Sequence, residues 1–116
     1  MTLKEECVFC DLIRLDDPKL TKESASVYSF EPLNPVTEGH RLFVSDQHFL
    51  FPHQYPSMTG LLFHFASKHA GKEKWSYNLI VNAGTPASQT VNHVHVHYVP
   101  RRENDGLKLP WTDQEK

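Results

Sequence analysis

His93-Val94-His95-Val96-His97-Tyr98-Val99-Pro100 is the stretch whose reading decides the fold. Three histidines alternate with apolar residues. In an extended strand successive side chains point to opposite faces. His93, His95 and His97 therefore share one face, and Val94, Val96 and Tyr98 share the other. A helix would scatter the same residues around its circumference, and the β-branched valines favour a strand. One face suits burial beneath a helix. The other offers a row of imidazoles.

Imidazole can act near neutral pH as nucleophile, general base or metal ligand. Alternate residues on a strand lie roughly 7 Å apart. That spacing suits one attacking group with others binding around the same substrate. Titratable groups clustered this way mark functional sites more often than a lone histidine does.

Outward from this stretch, the composition sets bounds. The 116 residues are 39% hydrophobic and 22% charged, as in an ordinary globular protein of one domain. A formal net charge of −2 argues against a nucleic-acid surface. Met1-Thr-Leu-Lys-Glu-Glu6 lacks the apolar core of a signal peptide, and no apolar run approaches the ~20 residues of a membrane span. A cytoplasmic protein with no membrane partner is expected. In that reducing setting Cys7 and Cys10, spaced Cys-x-x-Cys, are not expected as a structural disulfide.

The expected elements are few. A short helix starts near Cys10 and stops before Asp16-Asp17-Pro18. Strands are expected over 26–30, 40–45, 75–81 and 91–99, the second antiparallel to the first. Between the first two lies the loop Glu31-Pro-Leu-Asn-Pro35, whose prolines cannot ladder. The main helix follows Pro56, with Ser57 as N-cap and Leu61, Leu62, Phe65 and Ala66 at helical spacing; Ala70-Gly71 is its stop. His64 and His69 on it are expected as surface or core residues, not ligands. The fold class is α+β: an antiparallel sheet with one main helix over its apolar face and a short N-terminal helix.

Two constellations carry chemistry. Cys7 and Cys10 supply one arm of a tetrahedral zinc site, for which His48 and His93 are the favoured partners; reduced thiols in a loop are the plainer alternative. Such a site would be closed, hence structural. The loop from Asn82 to Thr90 offers Asn82, Ser88, Gln89, Thr90 and backbone N–H groups around Gly84. Loops of this kind cradle phosphate. Placed before the histidine strand, this one would direct a phosphate toward an imidazole.

With these residues in view, His93-Val-His-Val-His-Tyr-Val99 resembles the motif that names the histidine triad (HIT) family. Cys7-Val-Phe-Cys10-Asp-Leu-Ile13 resembles the N-terminus of its zinc-binding members. Pro35-Val-Thr-Glu-Gly39-His40-Arg-Leu-Phe-Val44 resembles its strand entry, and Asn82-Ala-Gly84 with Ala87-Ser-Gln89-Thr90-Val91 resembles its approach to the triad. The likeness spans nearly the whole chain, in order.

The resemblance implies one HIT domain over 1–116, with a zinc-arm region at 1–25 and a tail at 101–116. It implies a purine nucleotide hydrolase acting at an α-phosphate, usually a homodimer. By motif position His95 is the nucleophile and forms a nucleotidyl-histidine that water then releases. His97, His40, Gln89, Thr90 and Asn82 contact the phosphate. Structural zinc is held by Cys7, Cys10, His48 and His93. Two departures stand out. Pro32 occupies the place of the carboxylate or amide that holds the ribose, leaving Glu31 or Asn34 as substitutes. Ser88 replaces the glycine before Gln89. Leu109-Pro110-Trp111 is similar to tail segments that line the dimer's site in some members. The other readings are a nucleotidyl transferase or phosphorylase, a non-catalytic nucleotide-binding regulatory module, and a hydrolase built on an open metal. An open metal predicts lost activity on chelation; a closed site predicts lost stability.

Overall fold

The computed structural model describes residues 3–112; the first two residues of the expected arm and residues 113–116 of the expected tail lie outside this range. In chain order the regular elements are α1 (Val8–Arg14), β1 (Thr21–Lys22), β2 (Val27–Phe30), β3 (Arg41–Ser45), α2 (Pro56–Lys72), β4 (Ser76–Val81) and β5 (His95–Arg101). All strand pairs are antiparallel, in the order β1-β2-β3-β5-β4. The α+β class is as expected.

Alternation in the two central strands builds a core on each face. On one face Phe43, Val94, Val96 and Tyr98 meet Met58, Leu62, Ala66 and Ala70 of α2. These helix positions recur every four residues, the spacing of one face. Fully burying side chains such as Leu62 contributes roughly 1.5–3 kcal/mol each. On the other face Leu42 and Val44 join Phe30, Cys7, Phe9 and Cys10 of the N-terminal arm. The arm covers part of the histidine face, so His95 is only 5% exposed.

Several boundaries differ from the sequence expectation. The histidine strand does not begin at Val91 but at His95. His93 N–H donates to the Val91 carbonyl (2.9 Å) and Val94 N–H to that of Phe49 (2.9 Å), so residues 91–93 turn before the ladder starts. Past its expected end, β5 continues through Pro100 to Arg101, with Pro100 opposite Tyr77 on β4. Proline is tolerated there because the last β3 pair is Arg41 with Tyr98, and the Pro100 carbonyl takes the Thr37 hydroxyl instead (2.9 Å).

The main helix is not capped by Ser57. Tyr55 is its N-cap, with no side-chain cap bond, and Pro56 is its first residue. Proline suits that place because its missing N–H would be unsatisfied anyway. Ala70-Gly71 does not stop the helix, which runs on to Lys72. Strand β1 was not expected; two residues are too short for a period to show.

Candidate active site and metal centre

The sequence places Cys7, Cys10, His48 and His93 in three separate segments, and the fold brings them to one point. Their donor atoms lie within 4.8 Å of one another. Cys7 Sγ and Cys10 Sγ are each 3.5 Å from His93 Nδ1, and Cys10 Sγ is 3.4 Å from His48 Nδ1. A tetrahedral zinc with ordinary Zn–S and Zn–N bonds has S···N edges of about 3.5 Å. The donor set therefore fits a metal. Burial pushes the Cys10 thiol up, and beside it Cys7 adds to the rise. Burial also holds His93 neutral, its pKa lowered to about 4. The imidazoles are thus in the form that binds a metal. The far nitrogen of His93, Nε2, is 3.0 Å from the Ser45 carbonyl, which orients the ring as an outer partner does. His48 Nε2 is buried and lacks a hydrogen-bond partner among the described residues.

Beside this cluster lie the other histidines. His95 Nδ1 is 2.8 Å from the His93 carbonyl. A carbonyl only accepts, so Nδ1 carries the hydrogen and Nε2 keeps a lone pair. Burial lowers the pKa of His95 and keeps that lone pair free of a proton near neutrality.

The His97 ring sits 4.9 Å from that of His95 and 5.2 Å, stacked, from that of His40. A chain of hydrogen bonds sets its tautomer. The Val36 backbone N–H donates to His40 Nδ1 (3.1 Å), which must then be the acceptor. His40 Nε2 accordingly carries the hydrogen and donates to His97 Nδ1 (2.9 Å). His97 Nε2 is left as an N–H donor. Burial first, and then the neighbouring His95 and His40, lower the pKa of His97 to about 4. Burial also lowers His40, reinforced by His95 and opposed by the Glu31 carboxylate. A lone pair on His95 and an N–H on His97 can together attack an electrophile and hydrogen-bond what leaves.

The remaining candidates divide. Gln89 is buried, and its amide is committed to the backbone: Oε1 accepts from Gly84 N–H (2.7 Å), and Nε2 donates to the carbonyls of Leu50 (2.9 Å) and Val91 (3.1 Å). It builds the loop instead of presenting a free donor. Asn82 Nδ2 donates to the Ser88 carbonyl at 3.4 Å. Ser88 is exposed at φ 72°, in the left-handed region, which explains why glycine suits this place. Thr90 is exposed in a cleft lined also by Cys7, His48 and Asn92. Glu31 lines a cleft with His40, and Asn34 is exposed on the same loop.

Two contributors escaped the sequence reading. The Val36 N–H has no side-chain signature. Phe9 lies nearly perpendicular to the rings of both His93 and His95, with centroids 5.7 and 5.1 Å away. Its place between Cys7 and Cys10 was the available signal.

A model of the HIT domain matches residues 16–104. The adenosine 5'-monophosphoramidase of Saccharomyces cerevisiae is 34% identical over 98% of this chain and 75% of its own length. The adenylylsulfatase of Arabidopsis thaliana is 33% identical over 91% of this chain, which spans only 57% of that protein. Among solved structures, a zinc-bound histidine triad family protein from Mycobacterium smegmatis superposes with a TM-score of 0.78 at 29% identity, covering 89% of this chain and 80% of its own. A HIT family member from Bacillus subtilis also gives 0.78 at 29% identity, covering 92% and 82%.

Proposed function

Because the chain belongs to the HIT family, we propose that it is a nucleotide hydrolase. It cleaves at the α-phosphate of a nucleoside phosphoramidate or a purine dinucleoside polyphosphate. One observation carries the reading: the His93 carbonyl anchors His95 Nδ1–H at 2.8 Å and so frees Nε2 for attack. Nε2 attacks phosphorus, a P–N bond forms and the bond to the leaving group breaks. His97 Nε2–H donates a hydrogen bond to the departing amine or phosphate, which takes its proton from water. Water then attacks the nucleotidyl-histidine, the P–N bond breaks, His95 Nε2 regains its lone pair, the water's proton passes to solvent and the mononucleotide is released. The names of the yeast and plant relatives support release of a nucleoside monophosphate from nitrogen or sulfate.

Asn82 and Thr90, on the loop that Gln89 holds, bind the phosphate together with His97 Nε2–H, and His40 fixes His97 from behind. Pro32 cannot hold a ribose hydroxyl, so Glu31 or Asn34 of the same loop takes that part. Zinc held by Cys7, Cys10, His48 and His93 is structural. It ties the arm to the sheet, and no step passes through it. The outer edge of β4 has no partner strand among the described residues, and Trp75 (48% exposed) and Tyr77 (44%) stand beside or on it. Two copies pair along this edge as a homodimer, which light scattering on the purified protein measures.

The test is a product assay with adenosine phosphoramidate and diadenosine polyphosphates, run beside His95→Ala. AMP should form only with the unaltered protein, while the variant still binds nucleotide. Near-normal turnover by His95→Ala would remove His95 from the nucleophile's role. Added inorganic phosphate separates hydrolysis from transfer: ADP formed from adenosine phosphoramidate only when phosphate is present identifies a transferase.

A further inference from the structure

Phe9 joins the two halves of the site. It is 6% exposed and lies in α1 between Cys7 and Cys10. Its ring meets that of His95 edge-on, with centroids 5.1 Å apart and planes at 82°. The same ring meets His93 at 5.7 Å and 78°, and is backed by Phe30 at 5.5 Å and 69°.

Besides the His97 ring of its own strand, 4.9 Å away, His95 is anchored by one hydrogen bond, from Nδ1 to the His93 carbonyl. A single hydrogen bond fixes a direction and leaves the ring free to tilt about it. The near-perpendicular Phe9 ring, held from another segment of the chain, supplies a further contact that sets the ring plane, and with it the aim of Nε2. Such edge-to-face contacts have a preferred geometry as well as buried area.

Both anchors lead to the metal donors. His93, which supplies the carbonyl, has its Nδ1 3.5 Å from each cysteine sulfur. Phe9 rides on the turn whose two ends are those sulfurs. We infer that Phe9 is a positioning residue for His95, and that metal binding by Cys7, Cys10, His48 and His93 fixes the His95 ring plane through the Phe9 ring. The inference rests on the role proposed above for His95.

Phe9→Leu keeps an apolar side chain of similar reach and removes the flat edge; Phe9→Ala removes both and has a greater chance of failing to fold. The experiment uses the zinc-loaded full chain, with metal content and melting measured for each protein. Phe9→Leu should keep its zinc and fall roughly tenfold to a hundredfold in kcat on adenosine phosphoramidate, with KM nearly unchanged. The His95 ring signals in a 1H–13C spectrum should move in Phe9→Leu. Stripping zinc from the native protein should move them too, and stripping it from Phe9→Leu should move them less. Native kcat in Phe9→Leu overturns the inference. So does a raised KM with unchanged kcat, which makes Phe9 a wall of the substrate pocket, and so do His95 signals identical in the two proteins. Should the native protein release no AMP, the hydrolase reading fails, and the ring signals alone still decide the role of Phe9.

Discussion

Acid should destabilise this protein through the His40–His97 pair. The Val36 N–H already points at His40 Nδ1, and His40 Nε2–H points at His97 Nδ1. An added proton must occupy one of those two acceptor nitrogens and sets two donors against each other. Burial opposes the charge as well, so that His97 takes a proton only at about pH 4, against its ordinary 6.5. The unfolded chain has no such restriction. As pH falls below 6.5 it binds a proton that the folded protein refuses, and stability drops. The contribution is intact above 6.5, declines through the window and is fully lost below about 4. At about 1.4 kcal/mol per pH unit, and allowing for partial solvent contact, this amounts to roughly 2–3 kcal/mol. Urea unfolding at several pH values between about 7 and 4 measures it, with His97→Gln as the reference. The ligand histidines and His69 are common to both proteins and cancel. The unaltered protein should lose roughly 2–3 kcal/mol more than His97→Gln across the window. Parallel stability curves would refute the argument.

Three further outcomes are expected. Gln89→Ala strands Gly84 N–H and the carbonyls of Leu50 and Val91, and should cost about 2–3 kcal/mol by urea unfolding. Ser88→Gly relieves a left-handed side chain at φ 72° and should stabilise the fold by about 0.5–1 kcal/mol. Cys10→Ser, or chelation of the unaltered protein, should empty the metal centre and lower Tm while turnover per folded molecule falls less; full metal content in Cys10→Ser would remove that cysteine from the site.

Much of the candidate site was legible in the residues because its signals are local. The alternation of histidine with valine specifies a strand with an imidazole face wherever that strand sits, since the period of two belongs to the backbone. The Cys7 and Cys10 spacing announces a ligand pair in the same way. Their partners His48 and His93 lie 38 and 83 residues from Cys10, and reading them as ligands needed the family likeness as well as their type. The strand order, with β5 between β3 and β4, has no local mark.

The sequence by itself determined the α+β class, the two-faced histidine strand and the residue types of a metal centre, because each follows from short-range periodicity or spacing. Only the tertiary structure decided which nitrogen of each histidine is free. That depends on single donors and acceptors from distant chain: the His93 carbonyl for His95, and the Val36 N–H acting through His40 for His97. It also turned Gln89 from a candidate phosphate ligand into a clamp on the backbone of Leu50, because a buried amide must satisfy its hydrogen bonds with whatever the fold places beside it.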